Sequence, residues 1–426
     1  MTALTAKLRA LLGVAVLLIG AGSVLLSPPL IELSIPFVAY LVLARIFAGS
    51  VQVEVSASRP KDAAKIPEGG SAEVAIRASN GNGRVGLLKV EDSLPEGVKV
   101  ARGSRVAYTA LGEEEAAELE YSVTADSPGS WVLGPVTITA EDGFGLVAKS
   151  TTVELPYRLD VLPRLVGRPR FPFRPLRTKN WPGQVASERP GAGQDFYGIR
   201  PYVASDPARS VNWKASARLD RMYTNQYMAE LGAEAVIVVD KSYDSDFGAP
   251  PDSALNFVER CAAGVARGLL LAGNRVGLVV FGDRIYEVSP RTGVRQLERV
   301  LVEIVRAAKG PVKTFPYLRT YLSHFFPRAA QVIVVSSLMN LDIVEPLLVL
   351  GAQRDVRVVT PSLFSMAPGV PKSETGDVAM ALLRLQRWTT IERLRRRAVV
   401  AEWEVTRPLD EALERVMYPK GVMVAR

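Results

Sequence analysis

Ala235-Val-Ile-Val-Val-Asp240-Lys-Ser242-Tyr-Asp244 is an apolar run that ends in an acidic, hydroxyl-bearing turn. Equally continuous apolar runs recur at 276–281, 332–335 and 356–359. A strand with one buried face alternates in polarity, whereas a strand apolar throughout is buried on both faces, as in a parallel sheet covered by helices. Helical patterns separate these runs at 254–272, 296–308 and 317–326, the first behind an Asp252-Ser253 cap. A polar loop over 366–375, a basic helix over 378–397, a strand over 399–405 and a helix over 409–417 complete the pattern. Alternating strands and helices predict a doubly wound α/β domain. Right-handed crossovers then put Asp240 at the carboxyl edge of its sheet, where open α/β sheets bind ligands.

Upstream the periodicity changes. From 51 to 163, short period-two segments such as Val51-Gln-Val-Glu-Val-Ser and Leu119-Glu-Tyr-Ser-Val-Thr alternate with turn residues, including Asn80-Gly-Asn-Gly. They predict an antiparallel sandwich of immunoglobulin-like architecture. Residues 164–194, rich in Pro, Arg and Gly, read as a linker or as an extended segment wrapped on its neighbour, ahead of the α/β domain at 195–426. Over 1–50, two apolar runs at 10–26 and 30–48 flank Ser27-Pro28-Pro29. Each approaches the length of a membrane span. With Lys7 and Arg9 before the first run and Arg45 closing the second, the positive-inside rule predicts a transmembrane hairpin. The expectation is a multi-pass protein of the cell membrane with its soluble domains in the cytoplasm. A secretory signal ending at Ala21-Gly-Ser23 is the competing reading.

The 426 residues contain one cysteine, Cys261, and one histidine, His324, which excludes an intrachain disulfide and a multi-histidine metal centre. The net charge of +8 comes partly from Arg164 to Arg177 and from a helical tract with Arg384, Arg387, Arg393, Arg395, Arg396 and Arg397. Neither tract carries zinc-finger spacing or an aromatic RNA-binding signature, so anionic lipid or an acidic partner is favoured over nucleic acid. Gly191-Ala-Gly193 lacks the leading strand and the Gly-Lys-Ser/Thr of a phosphate loop, so no small-molecule substrate is expected there.

Ahead of the first parallel strand lies Asp195-Phe-Tyr-Gly-Ile-Arg-Pro-Tyr-Val-Ala-Ser-Asp-Pro-Ala-Arg-Ser-Val-Asn-Trp-Lys-Ala-Ser-Ala-Arg218. Its Arg200, Tyr202, Asp206, Arg209, Trp213, Lys214 and Arg218 resemble the signature of the "domain of unknown function 58" family, whose core is related to von Willebrand factor type A domains. Ser205 stands where that signature has Gly. The segment Gly129-Ser-Trp-Val-Leu-Gly-Pro extends the resemblance upstream. Two roles suit the signature: an internal network, with Arg218 or Arg209 paired to Asp206 and Trp213 packed on the sheet, or a docking surface for a partner.

The resemblance also implies a divalent-ion site of the type A kind, an Asp-x-Ser-x-Ser turn helped by a Thr and an Asp from later loops. Asp240 and Ser242 fit it. Asp244 stands at the third position, Thr314 is the candidate Thr (with Thr292 as competitor), and Ser337 lies where the late Asp belongs. Two readings stay open: a Mg2+ site in which Asp244 restores a second carboxylate, or a vestigial turn. The family association implies an adaptor, without enzymatic activity, that partners a MoxR-type AAA+ ATPase at the membrane lipid bilayer. A structural cell-envelope protein is the alternative, and a metal-assisted hydrolase using Asp244 or Asp283 as base is a more distant one.

Overall fold

The computed structural model describes residues 2–47, 55–81, 85–112, 114–141, 146–166, 182–231, 234–311, 317–326, 330–362 and 374–417. The chain divides into two compact units, Met1–Val161 and Leu162–Arg426.

The first unit opens with β1 (Thr2–Leu4), α1 (Ala6–Val24) and α2 (Pro28–Phe47). Thr5 caps α1, its hydroxyl accepting from Leu8 N at 3.2 Å while donating to the Leu146 carbonyl at 3.1 Å. At 19 residues, about 28 Å of helix, α1 is long and apolar enough to cross a bilayer. The apolar part of α2 over its described side chains, Pro28–Leu43, is shorter, and Pro36 lies inside the helix. One such helix is what the structure supports.

Eleven strands follow: β2 (Val55–Ser58), β3 (Ala63–Pro67), β4 (Ser71–Asn80), β5 (Val85–Asp92), β6 (Val98–Gly103), β7 (Val106–Leu111), β8 (Ala116–Ala125), β9 (Gly129–Leu133), β10 (Val136–Glu141), β11 (Val147–Val153) and β12 (Tyr157–Leu162). They form sheets of order β1-β11-β10-β5-β7, β2-β4-β8-β6 and β3-β12-β9. Every second residue is buried along β4, and from Leu119 onward along β8, as a one-sided strand requires. Their inner residues Val74, Ile76, Tyr121 and Val123 share one core with Leu88, Val90, Ile138 and Leu159 of the other sheets. A buried Arg59–Asp92 ion pair of 2.6 Å crosses that core's edge, with Tyr121 donating to the same carboxylate. The expected turn at Asp142-Gly143 lies outside the described residues.

The second unit begins at Leu162. Strand β13 (Pro182–Pro201) takes up the end of the 164–194 segment as extended chain, pairing antiparallel with β14 (Tyr223–Leu231) through several register shifts. Between them sits α3 (Trp213–Leu219). The six-stranded sheet comes next: β15 (Glu234–Asp240), β16 (Arg275–Phe281), β17 (Ile285–Arg291), β18 (Gln331–Val335), β19 (Val356–Pro361) and β20 (Val399–Trp403). Its order is β17-β16-β15-β18-β19-β20, all parallel except the edge strand β17. The helices are α4 (Ala254–Leu271), α5 (Val294–Arg306), α6 (Leu318–Phe325), α7 (Val344–Gly351), α8 (Glu374–Arg395) and α9 (Leu409–Met417).

Two separate cores confirm burial on both faces of this sheet. Ile237, Val239 and Leu278 pack with α4, α5 and α9, while Val236, Val238 and Val334 pack with α6, α7 and α8. Because β16 pairs with β15 on one side and β18 pairs with it on the other, the strand order reverses at β15. In open α/β sheets such a reversal is where ligands bind, beyond the carboxyl ends of the strands. Asp240 is the last residue of β15.

Candidate functional site

The turn after β15 closes on itself. Asp240 is fully buried, and its Oδ1 accepts from Ser242 N at 3.0 Å and Ser242 Oγ at 2.7 Å. Its Oδ2 accepts from Ser245 Oγ at 2.5 Å and from Ser336 Oγ at 2.7 Å. Both oxygens are therefore satisfied without a cationic side chain. Charge-assisted bonds of this kind repay the desolvation that an isolated buried carboxylate would suffer.

Here the structure departs from the expected ligand set. Tyr243–Ser245 form a short 3-10 turn, which carries Asp244 outward and brings Ser245 inward. Asp244 is exposed and meets Asn340 Nδ2 at 3.4 Å, while Ser245 fills the third position that sequence spacing gave to Asp244. Ser337 is buried, but its hydroxyl donates to the Ser245 carbonyl at 2.8 Å; the neighbour Ser336 reaches Asp240 instead. Thr314 lies outside the described residues. Among the described residues no group of three or more His, Cys, Asp and Glu side chains converges. The donor set around Asp240 is thus one carboxylate and three hydroxyls. All are hard oxygens, and a serine that donates its proton to Asp240 keeps lone pairs for a cation. The set fits Mg2+ in donor chemistry, with a single negative charge to hold it.

The carboxyl edge is tied together from behind by Arg387. Sequence periodicity placed this residue on a basic helix face, yet it is buried in α8. Its guanidinium donates to the Ser337 carbonyl (2.8 Å), Thr360 Oγ1 (3.0 Å), the Pro361 carbonyl (2.8 Å) and Glu402 Oε1 (2.9 Å). One planar fork so joins the ends of β18, β19 and β20. Burial pulls its pKa down, and Glu402 opposes that shift.

On the other face, Lys241 turns inward to a 2.6 Å ion pair with Glu259 and a 2.9 Å bond to the Ile304 carbonyl. Both side chains are buried, and among the described residues Glu259 Oε2 has no hydrogen-bond partner. Desolvation raises the Glu259 pKa above the usual carboxylate range, with Lys241 pulling against it. The backbone beyond is pressed close: a Cβ on Gly310 would lie 2.0 Å from Asp283 N, and one on Gly282 would lie 2.0 Å from the Ala308 carbonyl oxygen. Around this rigid base the side chains of Tyr243, Asp244, Asp283 and Asp342 are exposed. The outer surface of the edge thus carries Tyr243 and three acids, with the exposed cations Arg284 and Lys309 beside them.

The signature segment forms a knuckle between β13 and β14. Arg200, not Arg209 or Arg218, pairs with Asp206 at 2.5 Å, and Val203 N donates to the same carboxylate at 3.0 Å. The Arg200 bond and that amide lower the Asp206 pKa. Tyr202 donates to the Asp206 carbonyl at 3.2 Å. Trp213 does not pack on the sheet; it is 69% exposed, and Arg209, Lys214 and Arg218 are exposed beside it. A network other than the expected one thus joins Arg200, Tyr202 and Asp206, and Arg209, Trp213, Lys214 and Arg218 face solvent. His324 lies in α6 and Cys261 is buried in α4, where burial pushes its thiol pKa up.

A comparison with curated proteins finds no match. Among solved structures, an MSP family member from C. elegans is similar at 10% identity and a TM-score of 0.16, over 26% of this chain and 96% of its own. A non-cellulosomal cohesin from the hyperthermophilic archaeon Archaeoglobus fulgidus is similar at 14% identity and a TM-score of 0.18, over 25% of this chain and 90% of its own. Likenesses this slight carry no functional argument. The family model described as protein of unknown function DUF58 matches residues 198–363, a span that holds both the knuckle and the Asp240 turn.

Proposed function

We propose that this chain is a membrane-anchored adaptor whose α/β unit binds a partner protein at the carboxyl edge of its parallel sheet. The observation that carries the reading is the Asp240 knot. A buried carboxylate at the strand-order reversal holds three serine hydroxyls in place beneath an exposed surface of Tyr243, Asp244, Asp283 and Asp342. The sheet order and the position of Asp240 support a von Willebrand type A-like domain, and the family resemblance implies a MoxR-type AAA+ ATPase as the partner. Mg2+ would be held by Asp240 with the oxygens of Ser242, Ser245 and Ser336, and would offer a coordination position to a partner carboxylate.

Anchorage rests on α1. The pairing of Thr2–Leu4 with Val147–Lys149 supports an N-terminus and sandwich on one side of the membrane, as a hairpin of α1 and α2 crossing twice requires. Lys7 and Arg9 make that side the cytoplasm.

The test is binding of the full chain, in lipid nanodiscs, to a purified MoxR-type ATPase, with Mg2+ and with chelator. Wild type and Asp240→Ala are compared with Tyr243→Ala, which leaves the knot intact. Binding lost with Tyr243→Ala supports the edge as the docking face, and loss with chelator adds the metal. Absence of binding by wild type in both conditions rejects the ATPase partnership.

A further inference from the structure

The knuckle over residues 200–225 is built inside out. Its small polar side chains point inward: Asn212 caps α3 by accepting from Ala215 N at 2.9 Å and donates to Asn225 Oδ1 at 2.8 Å. Ser216 Oγ bonds both the Asn212 carbonyl (2.7 Å) and Tyr223 N (2.9 Å). Buried Thr224 holds the Ser210 carbonyl at 3.1 Å and the Ser210 hydroxyl at 2.8 Å. Its large apolar side chains point outward: Trp213, Leu219 and Met222 are 69%, 52% and 47% exposed. Folding by itself favours the reverse arrangement, so a held apolar surface marks a contact.

The charges along that surface are mainly positive. Arg209, Lys214, Arg218 and Arg221 are exposed, and among the described residues none of them has an ion-pair partner. Asp206, the acid that would offset them, is already engaged by Arg200. The exposed Asp220, at the left-handed C-cap of α3, is the one acidic side chain left in the 209–222 stretch. Exposed Trp213, Leu219 and Met222, interspersed along one segment with exposed Arg209, Lys214, Arg218 and Arg221, have the chemistry that suits a bilayer interface. The indole and aliphatic groups enter the headgroup–acyl boundary while Lys and Arg meet anionic headgroups. The same chain carries α1, a helix long and apolar enough to cross a bilayer, which holds such a surface available at high effective concentration.

We infer that the Arg209–Met222 knuckle is a second membrane contact, an interfacial site for anionic lipid separate from the partner-binding edge. The inference rests on the membrane attachment proposed above.

The full chain carrying Ala217→Cys is labelled with an environment-sensitive fluorophore and reconstituted in nanodiscs of phosphatidylcholine with or without phosphatidylglycerol. Ala217 is exposed on α3, whereas the native Cys261 is buried and escapes labelling. The expected result is a blue-shifted emission, quenched by brominated acyl chains, in the anionic discs alone. Added salt, the pair Arg209→Glu with Arg218→Glu, and separately Trp213→Ser should each reverse it. Emission that stays water-like in both lipids overturns the inference. So does equal burial in both lipids and in detergent, which would mean that protein covers the knuckle. A chain that leaves the discs on flotation overturns the anchored reading as well, whereas a disc-bound chain with a water-exposed knuckle overturns this inference alone.

Discussion

Ser336 Oγ donates to Asp240 Oδ2 at 2.7 Å across 96 positions of sequence, linking the end of β18 to the end of β15. With Ser242 and Ser245 it makes Asp240 the acceptor for three buried hydroxyls. Asp240→Ala removes all of these acceptors at once, and each orphaned buried hydroxyl costs about 1 kcal/mol or more. The expected loss is roughly 2–4 kcal/mol by chemical denaturation. Asp244→Ala, which removes an exposed carboxylate, is expected to change stability by less than about 0.5 kcal/mol. If Mg2+ stabilises the wild type, Asp244→Ala should retain that stabilisation and Asp240→Ala should lose it. Equal effects of the two substitutions would contradict the geometry of the turn.

Arg387→Lys tests the clamp behind the edge. A lysine ammonium has three donors on a flexible stem and cannot reproduce a fork that meets two carbonyls, a hydroxyl and a carboxylate. Thermal unfolding should shift down by the equivalent of about 2–3 kcal/mol, because buried carbonyls of Ser337 and Pro361 lose their donors. A lysine that preserves wild-type stability would show that the charge alone matters.

The Lys241–Glu259 pair is a case in which breaking and replacing have different consequences. Removing one partner leaves the other charge buried, at a cost of about 3–5 kcal/mol, whereas replacing both with apolar side chains is close to neutral. Lys241→Met combined with Glu259→Leu should therefore destabilise less than either single change, measured as a double-mutant cycle.

The same glutamate gives a pH dependence. Its folded pKa is raised above the unfolded value by desolvation, so the folded state binds the extra proton. This contribution is largest below the ordinary carboxylate range and is lost as pH rises from there through the raised value. Relative to Glu259→Gln, the wild type should lose stability across that window. A pH-independent difference between the two would contradict the assignment.

Gly310→Ala probes the close approach beside the knot. The added methyl would meet the backbone of Asp283 at 2.0–2.1 Å, where no flexible side chain can yield. A loss of more than about 2 kcal/mol is expected in equilibrium unfolding. Gly293→Ala loses no space, since nothing lies within 4 Å, and pays only for its positive φ of 89°. It should cost about 1 kcal/mol.

The apolar runs at 235–239, 276–281, 332–335 and 356–359 carried the parallel strands because burial on both faces needs unbroken hydrophobicity, which is a local property of the chain. So did the period-two segments of the sandwich and the apolar length of α1. The edge strand β17, whose residues alternate between intermediate and exposed, and the helix α7 left weaker traces and went unread. The site depended on geometry that no spacing rule records. One 3-10 turn exchanged Asp244 for Ser245, a single step along the chain exchanged Ser337 for Ser336, and the packing of α8 took Arg387 from a basic surface into the interior. The signature divided in the same way, with Arg200 rather than Arg209 or Arg218 reaching Asp206. Sequence by itself determined the central strands and most of the helices packed on them, and which residue ends the central strand, because those follow from hydrophobic periodicity. Only the tertiary structure decided which polar side chains share a hydrogen bond and which face solvent, because those pairings join residues up to 96 positions apart through backbone turns of a few residues.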